Sequence, residues 1–161
     1  MIKIAQKIEQ TLEHKTECLI LICLEEKKLT GTLKKLNDIL AGAISNAFEK
    51  KRFSGKSEQT LLLNSPGKAS NLVLVGVGKS KDVTAEKICR AVATAVKLAE
   101  QSKFKLISAD LSVLESVAKG KGGSYGELAC AMAEGAGLAL YHFEGYKSKN
   151  EKDEPASRVE K

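Results

Sequence analysis

Apolar positions along this chain follow two periods in alternation, and the switch between them marks out the elements. Residues 3–8 alternate polar and apolar side chains, whereas residues 18–24 form a solid apolar run. This predicts an exposed strand followed by a buried one, close enough in sequence to pair. Leu33, Leu36, Leu40, Ile44, Ala47 and Phe48 then recur at steps of three and four, which predicts one amphipathic helix ending near Lys50. Residues 59–63 and 72–75 are short apolar runs separated by Asn64, Ser65, Pro66, Gly67, Lys68, Ala69, Ser70 and Asn71, a cluster rich in turn formers, and they read as two strands. The unbroken run 72–75 suits a central strand buried on both faces.

Thr84 is a good N-cap, and Ile88, Ala91, Val92, Ala95 and Ala99 behind it form one helical face that packs onto a sheet. Residues 105–109 read as a further strand. Residues 111–118 fit either a short helix or a loop, and Lys119, Gly120, Lys121, Gly122 and Gly123 read as a loop, since glycine loses the most backbone freedom on ordering. Residues 127–140 are rich in alanine and apolar on nearly every side, which predicts a buried helix. Gly135 and Gly137 weaken it, and the expected compensation is close approach to a neighbouring element. Residues 147–161 are charged and contain Pro155, as expected of a linker or frayed end. Strands alternating with helices, with no internal repeat, predict a three-layer α/β domain.

Composition supports one domain of aliphatic core: 161 residues, 43% hydrophobic, 4% aromatic and no Trp. A domain of this size needs no disulfide or structural metal to fold. The longest apolar run falls well short of a membrane helix, and residues 1–15 lack the features of a signal peptide, so a cytoplasmic location is expected, with no membrane contact. Cys18, Cys23, Cys89 and Cys130 form no metal-site spacing and read as reduced core thiols. Cys18 and Cys23 are five apart in a strand, so they point to opposite faces.

Candidate chemistry is thin. Gly76, Val77, Gly78, Lys79 and Ser80 follow a strand as phosphate loops do, but a phosphate loop would need glycine at Val73, and the dinucleotide fingerprint would need it at Lys81. A tight turn is the simpler reading. His14 and His142 have no accompanying carboxylate or histidine cluster, and no serine lies in a G-x-S-x-G elbow. These patterns leave no catalytic, cofactor-binding or metal-binding residue to name. The formal charge of +6 permits attraction to polyanions. The densest basic stretch supplies Lys50, Lys51, Arg52 and Lys56 as a candidate polyanion contact, with Phe53 among them as an aromatic that could stack on a base. Cations there also complement the dipole of a helix C-terminus.

Several segments, in order, resemble the amino-terminal domain of the leucyl aminopeptidases, also called cytosol aminopeptidases. Phe53 to Lys56 matches the F-x-G-K turn of that family, and Leu72 to Lys79 matches its V-x-L-V-G-L-G-K strand and turn. Residues 133–149 are similar to its A-E-G-x-x-L-x-x-Y-x-F-x-x-Y-K-S segment. The similar stretches run from about residue 50 to 149, and the first 45 residues fit only in layout. The resemblance implies a macro-domain-like fold, with a mixed, mostly parallel sheet between helices, over residues 1–149. Residues 150–161 would then lead toward a peptidase domain.

The family's metal-binding stretches, G-K-G-x-x-F-D-T-G-G, M-K-x-D-M and N-x-x-E-G-R-L, have no counterpart here. The resemblance therefore implies a non-catalytic domain contributing to assembly and access. Its partners would be its own catalytic domain and the sister subunits of a homohexamer. The parent enzyme would release N-terminal residues such as leucine with two divalent metals, manganese or zinc, held in the peptidase domain; no cofactor is expected in this chain. A DNA-binding module or a macro-type nucleotide (ADP-ribose-like) module stands as the alternative. Residues 141–146 are expected to face the peptidase domain.

Overall fold

A computed structural model of the chain describes residues 3–5, 10–25, 29, 31–121 and 124–141. Among these residues four strands make one sheet: β1 (Thr16–Cys23), β2 (Thr60–Asn64), β3 (Ala69–Gly76) and β4 (Ile107–Ala109), in the order β2-β3-β1-β4. β1 runs parallel to both β3 and β4, while β2 runs antiparallel to β3. The sheet is therefore mixed and mostly parallel. β3 is internal, and Leu72 to Val75 are buried on both faces, as their unbroken apolar run requires.

Among the described residues five α-helices cover the two faces: α1 (Gly31–Ile39), α2 (Ala43–Glu49), α3 (Ala85–Gln101), α4 (Ser112–Lys121) and α5 (Tyr125–Ala139). Strand alternation divides the core. Cys18, Ile20, Ile22, Val73 and Val75 pack under α3, α4 and α5, whereas Leu19, Leu21, Cys23, Leu72 and Leu74 meet Leu36 of α1 and Ile44 and Ala47 of α2. Cys18 and Cys23 lie on opposite faces, as their spacing demands. This is the three-layer arrangement expected of the alternating pattern.

Several local expectations are corrected. Residues 3–5 lie in no strand, and β1 has β3 on one side and, over Cys18 to Ile20, β4 on the other; residues 6–8 fall outside the described residues. The single helix expected over 33–48 is two. Ala41 and Gly42 take positive φ, 49° and 81°, and Gly42 N–H returns to the Asn37 carbonyl at 2.8 Å, closing α1. Asn37 also opens α2, its Oδ1 accepting from Ser45 N–H at 2.9 Å.

Residues 111–118, ambiguous by pattern, lie mostly in α4, where Leu114 and Val117 enter the core one turn apart. The helix runs on through Lys119, Gly120 and Lys121, so the expected loop does not begin there; Gly122 and Gly123 fall outside the described residues. Asp110 stabilises the start of α4 by accepting from Ser112 N–H at 3.3 Å and Ser112 Oγ at 2.5 Å.

α5 is docked on one side and not buried all round. Leu128, Ala131, Met132, Gly135 and Ala139 face inward, while Leu138 is 62% exposed and Tyr141, just beyond the helix, 70%. Alanine contributes apolar character without demanding burial, so composition alone overstated the buried arc. Gly135 does make the close approach expected of it: a Cβ there would stand 2.2 Å from the Cys89 carbonyl oxygen of α3. Gly137 makes no such approach, its nearest neighbour being Ile4 Cδ1 at 3.9 Å. Residues 142–161 lie outside the described residues, and with them the expected tail and most of the segment 141–146. No helix among the described residues is long and apolar enough to cross a membrane.

Candidate functional site

Ligands in open α/β sheets bind beyond the carboxyl ends of parallel strands, here Cys23 of β1 and Gly76 of β3. The chain itself fills the space beside those ends. Gly55, at φ 74°, sits where a Cβ would be 2.4 Å from the Leu24 carbonyl oxygen, and a Cβ on Gly76 would be 2.0 Å from the Lys56 carbonyl oxygen. The backbone at residues 55–56 therefore lies packed against the ends of β1 and β3. It is fastened by Gly78 N–H to Gly55 O at 2.9 Å and Glu25 N–H to Gly78 O at 2.9 Å. Val77 N–H to Cys23 O at 3.1 Å and Gly76 N–H to Gln59 O at 2.8 Å complete the junction. The glycines of Gly76, Val77, Gly78, Lys79 and Ser80 serve this junction and the turn at Gly78, φ 84°. The amides of Gly76, Val77 and Gly78 are thus bonded within the chain.

The four cations picked out by sequence lie on the loop that feeds this junction. Lys50 caps the C-terminus of α2, Lys51 has φ 55°, and Arg52 N–H returns to the Ala47 carbonyl at 2.9 Å. Lys50, Lys51, Arg52 and Lys56 are all exposed. Phe53 is not available as a stacking platform. It is completely buried and meets Phe48 edge-on, with ring centroids 5.2 Å apart, because its apolar ring completes the core beneath α2. Ser54 N–H and Oγ both donate to Gln59 Oε1, at 2.9 and 2.8 Å, which ties the loop to β2.

A groove of about 620 Å3 lies elsewhere, lined by residues including Asp82, Thr84, Lys87, Val117 and Glu127, where α3 and α5 begin. Its size suits a small ligand, yet two of its polar groups, Thr84 and Glu127, already serve as helix caps. Thr84 Oγ1 accepts from Lys87 N–H at 3.3 Å, and Ser124 and Glu127 form a reciprocal capping box. With both helix starts capped and the Asp82 and Glu127 carboxylates on its wall, the groove offers an anion little.

One polar chain escaped the sequence reading because its members come from distant positions. His14 Nε2 lies 2.9 Å from Ser108 Oγ, which donates to Thr16 Oγ1 at 3.2 Å, and Thr16 in turn donates to the Leu106 carbonyl at 3.0 Å. A carbonyl only accepts, so the Thr16 proton is committed, and the Ser108 proton after it. With both protons so placed, the bond to Ser108 is the one the His14 Nε2–H tautomer would donate. The chain holds β4 to β1. Glu17 does the same from the exposed side, its Oε2 accepting from Lys105 N–H at 2.7 Å and Leu106 N–H at 3.3 Å. Those two backbone bonds, chiefly the one from Lys105, hold its carboxyl below the ordinary glutamate value.

Burial pushes the Cys18 and Cys23 thiols up to about 12, which makes them poor nucleophiles and poor metal ligands. Cys89 is partly buried and Cys130 exposed, so only two of the four cysteines are core thiols as expected. Among the described residues no three His, Cys, Asp or Glu side chains converge into a group able to hold a metal ion, so these residues do not fit the metal pair of a peptidase. His142 lies outside the described residues.

The mixed sheet between two helical layers defines a macro-like α/β domain. A macrodomain of Mycobacterium tuberculosis DarG superposes with a TM-score of 0.64 over 82% of this chain and 88% of that one, at 7% identity, a likeness of fold alone. Residues 20–150 match the model of the cytosol aminopeptidase family, N-terminal domain, and the chain belongs to that family.

Relatives agree with that assignment. A probable cytosol aminopeptidase of Pseudomonas aeruginosa is 35% identical over 140 residues, 84% of this chain and 27% of the relative. Another, from a Geobacter species, is 28% identical over 144 residues, 88% of this chain and 28% of the relative. A variant of tomato leucine aminopeptidase superposes with a TM-score of 0.70 at 20% identity, over 94% of this chain and 30% of that one. The chain thus spans little more than a quarter of the length of these curated relatives.

Proposed function

We propose that this domain is a non-catalytic part of a cytosol aminopeptidase, acting in assembly of the enzyme and in access to its active site. The observation that carries the reading is the match of residues 20–150 to the family's N-terminal domain, together with the small share of each relative's length that this match represents. Its partner is a peptidase domain of the same protein, in which two divalent metals, manganese or zinc, activate the water that releases N-terminal residues such as leucine. The sister subunits of a homohexamer are its further partners, and the cytoplasm is its place of action. The sequence supports this division, since none of the family's metal-binding stretches is found in it.

Two measurements test the reading. The purified chain is incubated with manganese or zinc and leucine p-nitroanilide, beside the full-length Pseudomonas aeruginosa relative. It is also exchanged for the N-terminal domain of that relative, and the particle size of the chimera is measured by light scattering. The chain alone is expected to give no turnover, and the chimera to assemble as its parent does. Turnover that follows the isolated chain through gel filtration with one or two bound metals defeats the non-catalytic assignment. A chimera that stays monomeric although each part is folded defeats the assembly role.

A further inference from the structure

β2 is the outermost strand on its side of the sheet, and the loops at its ends reveal its hydrogen-bond phase. Gly76 N–H donates to Gln59 O at 2.8 Å, and Ser65 N–H donates to Ser70 O at 2.9 Å. Leu61 lies opposite Leu74 and Leu63 opposite Leu72. In an antiparallel ladder, pairs that exchange hydrogen bonds alternate with pairs that do not. Residues 59 and 65 are both in bonding pairs, so Leu61 and Leu63 are too. The backbone N–H and C=O of Thr60, Leu62 and Asn64 therefore point away from the sheet, and no partner for them is found among the described residues.

The charges and prolines that commonly blunt an edge are missing from the strand Thr60, Leu61, Leu62, Leu63, Asn64, and its register with β3 runs without a bulge. Leu62 lies opposite Val73, on the face that α3 covers further in, yet remains 37% exposed because it stands beyond the helices.

We propose that β2 is a self-association edge, whose partner is the β2 of a second copy of this chain, paired antiparallel about a two-fold axis through Leu62. The spacing of the free groups sets the register, and the exposed Leu62 at the centre of this uncharged strand, which a two-fold axis brings against its own copy, favours a second copy as partner. Outward groups recur at residues 60, 62 and 64, symmetrically about Leu62, so the two-fold register sets Thr60 against the second copy's Asn64 and Leu62 against its Leu62. Every outward donor then faces an outward acceptor, whereas a one-residue slip sets bonding residues against non-bonding ones. The arrangement is isologous and closes after two copies, joining two sheets into one and covering the exposed Leu62 side chains with each other. A strand of five residues makes a small interface, so the dimer is weak and forms at high protein concentration. The net charge of +6 on each copy opposes it, and added salt strengthens it.

The test is sedimentation of the 161-residue chain from micromolar to millimolar concentration, with amide hydrogen exchange read residue by residue. A dimer is expected in which protection at Thr60, Leu62 and Asn64 rises with concentration, while Leu61 and Leu63 are protected throughout. L62K and L62E each place like charges directly opposite one another and are expected to weaken the dimer by roughly tenfold or more. Because position 62 faces itself, mixing L62K with L62E is expected to restore association, a result that misfolded variants could not give. A chain that stays monomeric up to millimolar concentration overturns the proposal. So does a dimer that L62K and L62E leave unchanged, a mixture that recovers nothing although both variants are folded by circular dichroism, or protection of residues 60, 62 and 64 that is already complete at the lowest concentration, which would mean the chain's own backbone occupies the edge.

Discussion

Gly76 lies against Lys56 so closely that a methyl group on its Cα would stand 2.0 Å from the Lys56 carbonyl oxygen, nearer than any real contact allows. The obstacle is backbone, which is itself pinned by the bonds around Gly78, so it cannot swing aside as a side chain would. Gly76→Ala is expected to destabilise the domain by about 2–4 kcal/mol, the cost of overpacking plus displaced hydrogen bonds. Gly126→Ala is the matched control. It sits in the first turn of α5 with only Ser124 Oγ at 3.9 Å near it, and is expected to be neutral or stabilising by up to about 1 kcal/mol. Urea denaturation of both variants checks the contrast, and equal stabilities would refute the role assigned to the junction.

Lys51 and Lys103 each follow a helix in left-handed backbone, at φ 55° and 64°. In both, the following residue returns its N–H to a carbonyl in the last turn: Arg52 to Ala47 at 2.9 Å, and Phe104 to Ala99 at 3.1 Å. This is the helix-ending geometry that glycine adopts without a Cβ penalty. Lys51→Gly and Lys103→Gly are each expected to stabilise by about 0.5–1 kcal/mol, raising the melting temperature. A loss of stability in both would show that the lysine side chains contribute more than the strain costs.

Glu17 ties β1 to the segment that leads into β4, and its carboxyl is depressed by the backbone bonds from Lys105 and Leu106. A group with a depressed folded-state pKa contributes stability that is complete above its unfolded value, the ordinary 4.5, and is lost as pH falls through the folded value. Glu17→Gln is therefore expected to lower stability at neutral pH and to shrink the difference in melting temperature between pH 7 and the acid range. A variant whose acid limb superimposes on that of the unmodified chain would show that Glu17 is not linked to folding.

Thiol reactivity should separate the four cysteines by position. Cys130 is exposed on α5, whereas Cys18 and Cys23 are buried on opposite faces of β1 with thiols pushed up to about 12. Reaction with a disulfide reagent at pH 8 is expected to be fast at Cys130, slow at Cys89, and at Cys18 and Cys23 to await unfolding. Rapid labelling of Cys18 in native conditions would contradict its placement in the core.

The strands and α3 were legible because each rests on a local pattern. The apolar run ending at Val75, and Thr84 followed by Ile88, Ala91, Val92 and Ala95, point to their elements without knowledge of any distant residue. The break between α1 and α2 was not, since the apolar period continues across Ala41 and Gly42 while the backbone turns beneath it. α5 failed differently. Its alanines suit a wholly buried helix and a half-docked one equally, and packing against α3 at Cys89 and Gly135 decided which side turned inward.

By itself the sequence determined the family, the α/β class and the central place of β3, because ordered motifs and local periodicity report which positions are buried. It could not say what buries them. That Phe53 completes a core, that Gly76 yields to Lys56, that His14 reaches Ser108, and that Thr60, Leu62 and Asn64 turn their backbones outward all depend on which distant segments meet. Such meetings are decided by packing and hydrogen-bond phase in three dimensions, and a one-dimensional pattern carries no record of either.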